Sequence, residues 1–75
     1  YYRMKIIVTE FYTENNILYQ KDPLEFNSQN ELINHIHLFF PDQKTYSAGE
    51  EGSQESIIRS TVDETKFLHV EQSNN

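Results

Sequence analysis

Three histidines, His35, His37 and His69, are the side chains of this 75-residue sequence best suited to acid–base or metal chemistry. No cysteine accompanies them, which excludes disulfides, thiolate metal sites and a cysteine nucleophile. Two of the three sit in "LINHIHLFFP", residues 32–41, between apolar residues. On a helix that turns about 100° per residue, His35 and His37 point about 160° apart, so one helix cannot offer both to one ion. A helical metal pair is spaced i, i+4, as in H-E-x-x-H. Glu31 stands at that distance before His35, but it is better used as a helix cap. His69 is far along the chain, and only the fold could bring it near the others. The expectation is therefore no metal and no cofactor, with each helical histidine covering the edge of a core.

Nucleophilic and phosphate chemistry find no support either. Ser28 is a cap, and Ser47, Ser53, Ser56 and Ser60 lack the G-x-S-x-G context of a nucleophile elbow. Both glycines, Gly49 and Gly52, lie in "AGEEG", where two carboxylates would repel a phosphate. The acidic pairs Glu50/Glu51 and Asp63/Glu64 fall in polar segments. General acid–base work needs a carboxyl desolvated in a cleft. No calcium loop of the D-x-[DN]-x-[DN]-G type occurs. No catalytic residue is expected, and the chain reads as a non-enzyme.

The elements that would position these groups follow from pattern and punctuation. "MKIIVTEFYT", residues 4–13, is rich in β-branched and aromatic residues and reads as a strand. "ENN", 14–16, is turn chemistry, since Asn tolerates positive φ. "ILYQK" completes a hairpin, and Pro23 ends regular pairing because it lacks the N–H donor. "SQNE", Ser28–Glu31, is a capping box. The helix it opens runs to about Phe40, stopped by Pro41. Leu32, Ile33, Ile36, Phe39 and Phe40 fall in one stripe about 120° wide, the pattern of a helix lying on a sheet. Residues 42–54 read as a loop. "SIIRSTV", 56–62, and "TKFLHVE", 65–71, read as a strand pair around a turn at Asp63 and Glu64, and 72–75 as a frayed tail.

These elements predict an α+β fold, a single small domain spanning 1–75 with an ordered core over 4–71. It is a sheet of about four strands with one helix packed on one face, in ββαββ order. That order is compatible with a β-grasp arrangement, in which the first and last strands pair in parallel at the sheet centre and the helix crosses one face. The other topology is an open antiparallel sheet with one helix across it. The chain does not end in the Gly-Gly of ubiquitin-like conjugation. Met4 before "KIIV" reads as a natural start, which makes Tyr1–Arg3 an addition.

Composition narrows the partners. Twelve acidic against six basic residues give a formal charge of −6 and a pI near 4.8. The cations are single and scattered, so the counterion-releasing patch of a nucleic-acid binder is missing, as is attraction to an anionic membrane. A basic partner, or a protein that itself binds nucleic acid, suits the charge better. An acidic mimic of nucleic acid is a special case. There is neither a membrane-spanning run nor a signal-peptide pattern, and a cytoplasmic location is expected.

A different anomaly points to binding. Residues 4–12 alternate Met4, Ile6, Val8 and Tyr12 on one face with Ile7 and Phe11 on the other, so both faces are apolar. Ile57 and Phe67 are likewise opposite in parity to Ile58, Leu68 and Val70. One helix covers one face of a small sheet, and a strand apolar on both sides needs cover on both. The loop at 42–54 could fold back, the strands could curl around one core, or another chain could cover the face. Leu38 falls outside the helix stripe and should be exposed. The sequence thus reads as a small acidic interaction module (an inhibitor, adaptor or accessory subunit of the kind common among short reading frames of bacteria and phages). Its partner-binding residues would be Ile7, Phe11, Leu38, Glu50 and Glu51, and its partner another protein or a second copy of itself. The competing class is a small ligand-binding or enzymatic domain without a recognisable motif.

Overall fold

In the computed structural model, which describes residues 4–49 and 54–74, the spine is a long antiparallel pair. β1 (Met4–Glu14) lies beside β6 (Lys66–Asn74) from Met4↔Asn74 to Tyr12↔Lys66. β1 first turns back on itself into β2 (Ile17–Gln20) through Asn15 and Asn16, whose φ values are 53° and 66°. Two consecutive positive φ angles make the mirror-image turn that matches the twist of a two-residue hairpin, and Asn bears them better than most residues. β3 (Leu24–Phe26) pairs with the earlier part of β1, Ile6↔Phe26 to Val8↔Leu24. Pro23 stands just before it, where a missing N–H is tolerated.

The helix α1 (Gln29–Phe39) opens on the capping box. Ser28 Oγ accepts from Glu31 N at 3.3 Å, and Glu31 Oε2 reaches back to accept from Asn27 N at 2.8 Å, one residue before the cap. Phe40 closes the last turn with its N–H on Ile36 O at 2.8 Å, and Pro41 follows. Lys66 Nζ donates to Phe39 O at 2.6 Å, which ties the carbonyl end of the helix to β6. After it come β4 (Thr45–Ala48), β5 (Glu55–Ser60) and β6. Between β5 and β6, Ser60 Oγ accepts from Val62 N and Asp63 N. The Asp63 carboxylate accepts from the Thr65 hydroxyl and amide, bonds that hold its pKa below the ordinary 3.8. That contribution to stability is present above pH 3.8 and is lost as pH falls through the lowered pKa.

The expected α+β, ββαββ arrangement with about four strands is overturned. The fold is mainly β: among the described residues six strands form one sheet, ordered β2-β1-β6-β5-β4 with β3 beside β1, and a single 11-residue helix lies against it. The first and last strands do meet in the middle of the sheet, but antiparallel, so the β-grasp topology is excluded. The two extra strands are three and four residues long. β3 was hidden behind Pro23 and β4 inside the polar run that reads as a loop. Both are edge segments held by a neighbouring strand, and neither carries an alternation long enough to see in sequence. β6 also continues through Gln72 and Ser73, because β1 is there to pair with them.

One core results. Ile6 and Val8 of β1 and Leu68 and Val70 of β6 are fully buried against Leu32 and Phe40, with Met4, Phe26, Ile36, Phe39 and Ile58 at its margin. The helix sits slightly rotated from the apolar stripe. Ile33 is 46% exposed and His35 turns inward in its place. Phe40, at 1% exposure, is the largest buried side chain. Phe40→Ala should therefore cost about 3–5 kcal/mol in urea unfolding, as for other buried phenylalanines. Phe39→Ala, half-buried, should cost less, and Leu38→Ala, at 80% exposure, should cost under about 0.5 kcal/mol. Equal losses at Leu38 and Phe40 would show that the helix meets the sheet by another face.

Candidate functional site

The helix covers the face of the sheet that carries the even-numbered residues of β1. Along a strand successive side chains alternate, so the odd-numbered residues stand on the opposite face. Among the described residues no helix or strand lies over that face. Register then assembles it into rows. Phe11 lies opposite Phe67, Phe67 opposite Arg59, and Arg59 opposite Tyr46, so one row crosses four strands. The Phe11 and Phe67 rings stack with centroids 4.8 Å apart and planes within 6°. The Arg59 guanidinium lies 4.8 Å above the Phe67 ring, a cation–π contact. The next row is Thr9, His69, Ile57 and Ala48, in which Thr9 is buried. The third is Glu25, Ile7, Glu71 and Glu55. Lys5 Nζ lies 3.8 Å from Glu25, and His69 Nε2 lies 4.0 Å from Glu55. The face therefore grades from aromatic and cationic at one end to carboxylate at the other.

The residues expected to bind a partner are not brought together. Ile7 and Phe11 both stand half-buried on the open face, two rows apart. Leu38 is on the other side of the molecule, beside a shallow groove between α1 and β3 that includes Phe26, Asn34 and His35. Glu50 and Glu51 lie outside the described residues. Phe67, Arg59 and Tyr46 were missed as members of one site. Parity placed Phe67 on the second face, but only the cross-strand register joins it to Phe11 and Arg59.

A second polar group sits at the rim of the core. The Tyr12 hydroxyl donates to Glu10 Oε1 at 2.8 Å, and His35 Nε2 lies 2.8 Å from Glu10 Oε2. His35 Nε2 is shielded from solvent, and it approaches the carboxylate closely without a well-aligned hydrogen bond. Glu10, not Glu31, is thus the acidic neighbour of His35. The histidines are spread apart: His35 is under the helix, His37 is exposed and His69 is on the open face. Among the described residues no group of three or more His, Asp or Glu side chains could hold a metal ion, and no helix is long and apolar enough to cross a membrane. Comparison with protein-family models, curated proteins and solved structures gave no match to this chain.

Burial, and then the bond to Glu10, raise the Tyr12 phenol above its ordinary 10.0, while Lys21, whose Nζ lies 5.3 Å from the ring centroid, pulls it down. A raised pKa means that the folded state holds the proton more tightly. The contribution is present below pH 10 and is lost as pH rises through the folded value. Glu10→Gln should lower the Tyr12 pKa, read as an earlier phenolate absorbance rise in an alkaline titration. An unchanged titration would show that Glu10 does not act on the phenol.

Proposed function

We propose that this chain is a small interaction module that binds another protein through the open face of its sheet. The observation that carries the reading is the Phe11–Phe67 stack, with Arg59 above it, on a face that no described element covers. Aromatic residues and arginine are the side chains over-represented where proteins bury surface against each other. Ile7 and Ile57 extend the apolar area, and the row with Glu71 and Glu55 borders it with carboxylates. With a formal charge of −6 on the chain, the partner that fits has an apolar patch rimmed by Lys or Arg. A protein that itself binds nucleic acid is one such partner. A cytoplasmic setting and a role as inhibitor, adaptor or accessory subunit go with this reading.

Direct binding of single strands would use the same stacked rings, but stacking platforms of that kind are surrounded by cations that follow the phosphates. Here Arg59 is engaged on Phe67 and Lys5 faces Glu25. The Glu10–Tyr12–His35 cluster supports the other class, a ligand-binding or enzymatic domain. Against it, both Glu10 oxygens already face protein groups.

A partner captured by the wild-type chain should be titrated with Phe11→Asp, Ile7→Asp, Leu38→Asp and the pair Glu50→Lys/Glu51→Lys, each with native circular dichroism, at two salt concentrations. Phe11→Asp and Ile7→Asp should abolish association, and Leu38→Asp should leave it intact. The Glu50 and Glu51 charges should alter mainly the on-rate, and less so at high salt, where screening shortens from a Debye length of about 8 Å at physiological strength. Wild-type affinity in both open-face variants would overturn the proposal.

A further inference from the structure

β2 stands apart from the rest of the sheet. Its four residues are all exposed, with Ile17 at 54%, Leu18 at 57% and Tyr19 at 48%. It pairs with β1 alone and forms one edge of the sheet, while β4 forms the other. Natural edge strands are guarded by lysine, proline, bulges or a covering element. Within Ile17–Gln20 there is no charge, no proline and no glycine, and the uncharged run extends back through Asn15 and Asn16.

The ladder shows which backbone groups of this edge are free. Lys21 N donates to Glu10 O at 3.0 Å, so Lys21 faces β1. Antiparallel pairs alternate between bonded and non-bonded residues. Tyr19 and Ile17 therefore also bond inward, and Leu18 and Gln20 turn their N–H and C=O groups outward.

We propose that β2 pairs antiparallel with β2 of a second copy of this chain, about a two-fold axis at Leu18, to make one continuous sheet. The edge is self-complementary in that register. Leu18 exchanges two backbone hydrogen bonds with its own copy. Ile17 meets the copy's Tyr19 twice on the helix side of the sheet, while the Leu18 pair stands on the open side in the row of Thr13, apart from Phe11, which lies opposite Gln20. Moving the axis to Tyr19 would instead set Ile17 against Lys21 and Leu18 against Gln20. Charge argues for a second copy at this place. Two chains of formal charge −6 repel, and Asn15–Gln20 is a stretch where they can touch with no carboxylates opposed. A contact of this length is small, so the dimer is weak and depends on concentration. It leaves the open face free and does not rest on the function proposed for it.

The test uses no partner: the full chain is followed by analytical ultracentrifugation across concentration, with amide exchange read by NMR. The wild type should pass from monomer to dimer, and the amide of Leu18 should gain protection as it does. Leu18→Lys places a guard on the edge, and Leu18→Pro removes an outward N–H while leaving the β1 ladder its bonds. Each should weaken the dimer by at least about tenfold. Should Leu18→Pro lose its native circular dichroism, Leu18→Lys carries the comparison. Phe11→Asp, on the open face, and Ile33→Lys, on the helix, should dimerise as the wild type does. A wild type that stays monomeric at the highest concentrations overturns the inference. So does a dimer that survives Leu18→Lys, or one abolished by Phe11→Asp instead.

Discussion

The antiparallel ladder between β1 and β6 is the constraint from which the rest of the molecule follows. It joins the two ends of the described chain, from Met4↔Asn74 to Tyr12↔Lys66. Because side chains alternate along a strand, that single register decides two surfaces at once. Val8 meets Val70 and Glu10 meets Leu68 on one side, while Phe11 meets Phe67 and Thr9 meets His69 on the other. A slip by one residue would exchange the faces and place Glu71 and His69 under the helix. The side with Ile6, Val8, Leu68 and Val70 can be closed by Leu32 and Phe40, and that closure fixes the register.

The chain has a single described helix, and it is used up in covering that side. What remains on the other side is apolar by sequence and open by topology. The Phe11–Phe67 stack and the guanidinium above it shelter one another, which reduces the water-exposed apolar area without a second layer. Thr9 is buried on the same face, opposite His69. The residues 42–49 that could have folded back instead add β4 to the sheet edge.

Glu10 sets the rotation of the helix. It faces the helix side from β1, and a carboxylate held against a core needs partners. Tyr12 supplies a hydroxyl and His35 a ring nitrogen. Drawing His35 toward Glu10 turns the helix so that Ile33 emerges into solvent, while Phe40 is buried from the cap, where the backbone has left the helical conformation. The most chemically suggestive stretch of the sequence is therefore explained by packing: one of its histidines holds a carboxylate at the core margin, the other faces water, and both phenylalanines pack toward the sheet.

The sequence by itself determined the features whose causes lie within a few residues. The hairpin turn follows from two asparagines that accept positive φ, the helix start from Ser28 and Glu31, its end from Pro41, and the two-sided apolarity of β1 from its own alternation. The absence of cysteine and the charge of −6 are read directly as well. Tertiary structure alone decided that the first and last strands run antiparallel, that 24–26 and 45–48 are strands, that Glu10 rather than Glu31 meets His35, and that Phe11, Phe67, Arg59 and Tyr46 share a row. Short edge strands have too little pattern of their own and exist because a neighbour offers them hydrogen bonds. Register between distant strands is chosen by which side chains the helix can bury, an energy shared by the whole core and present in no local stretch of the chain.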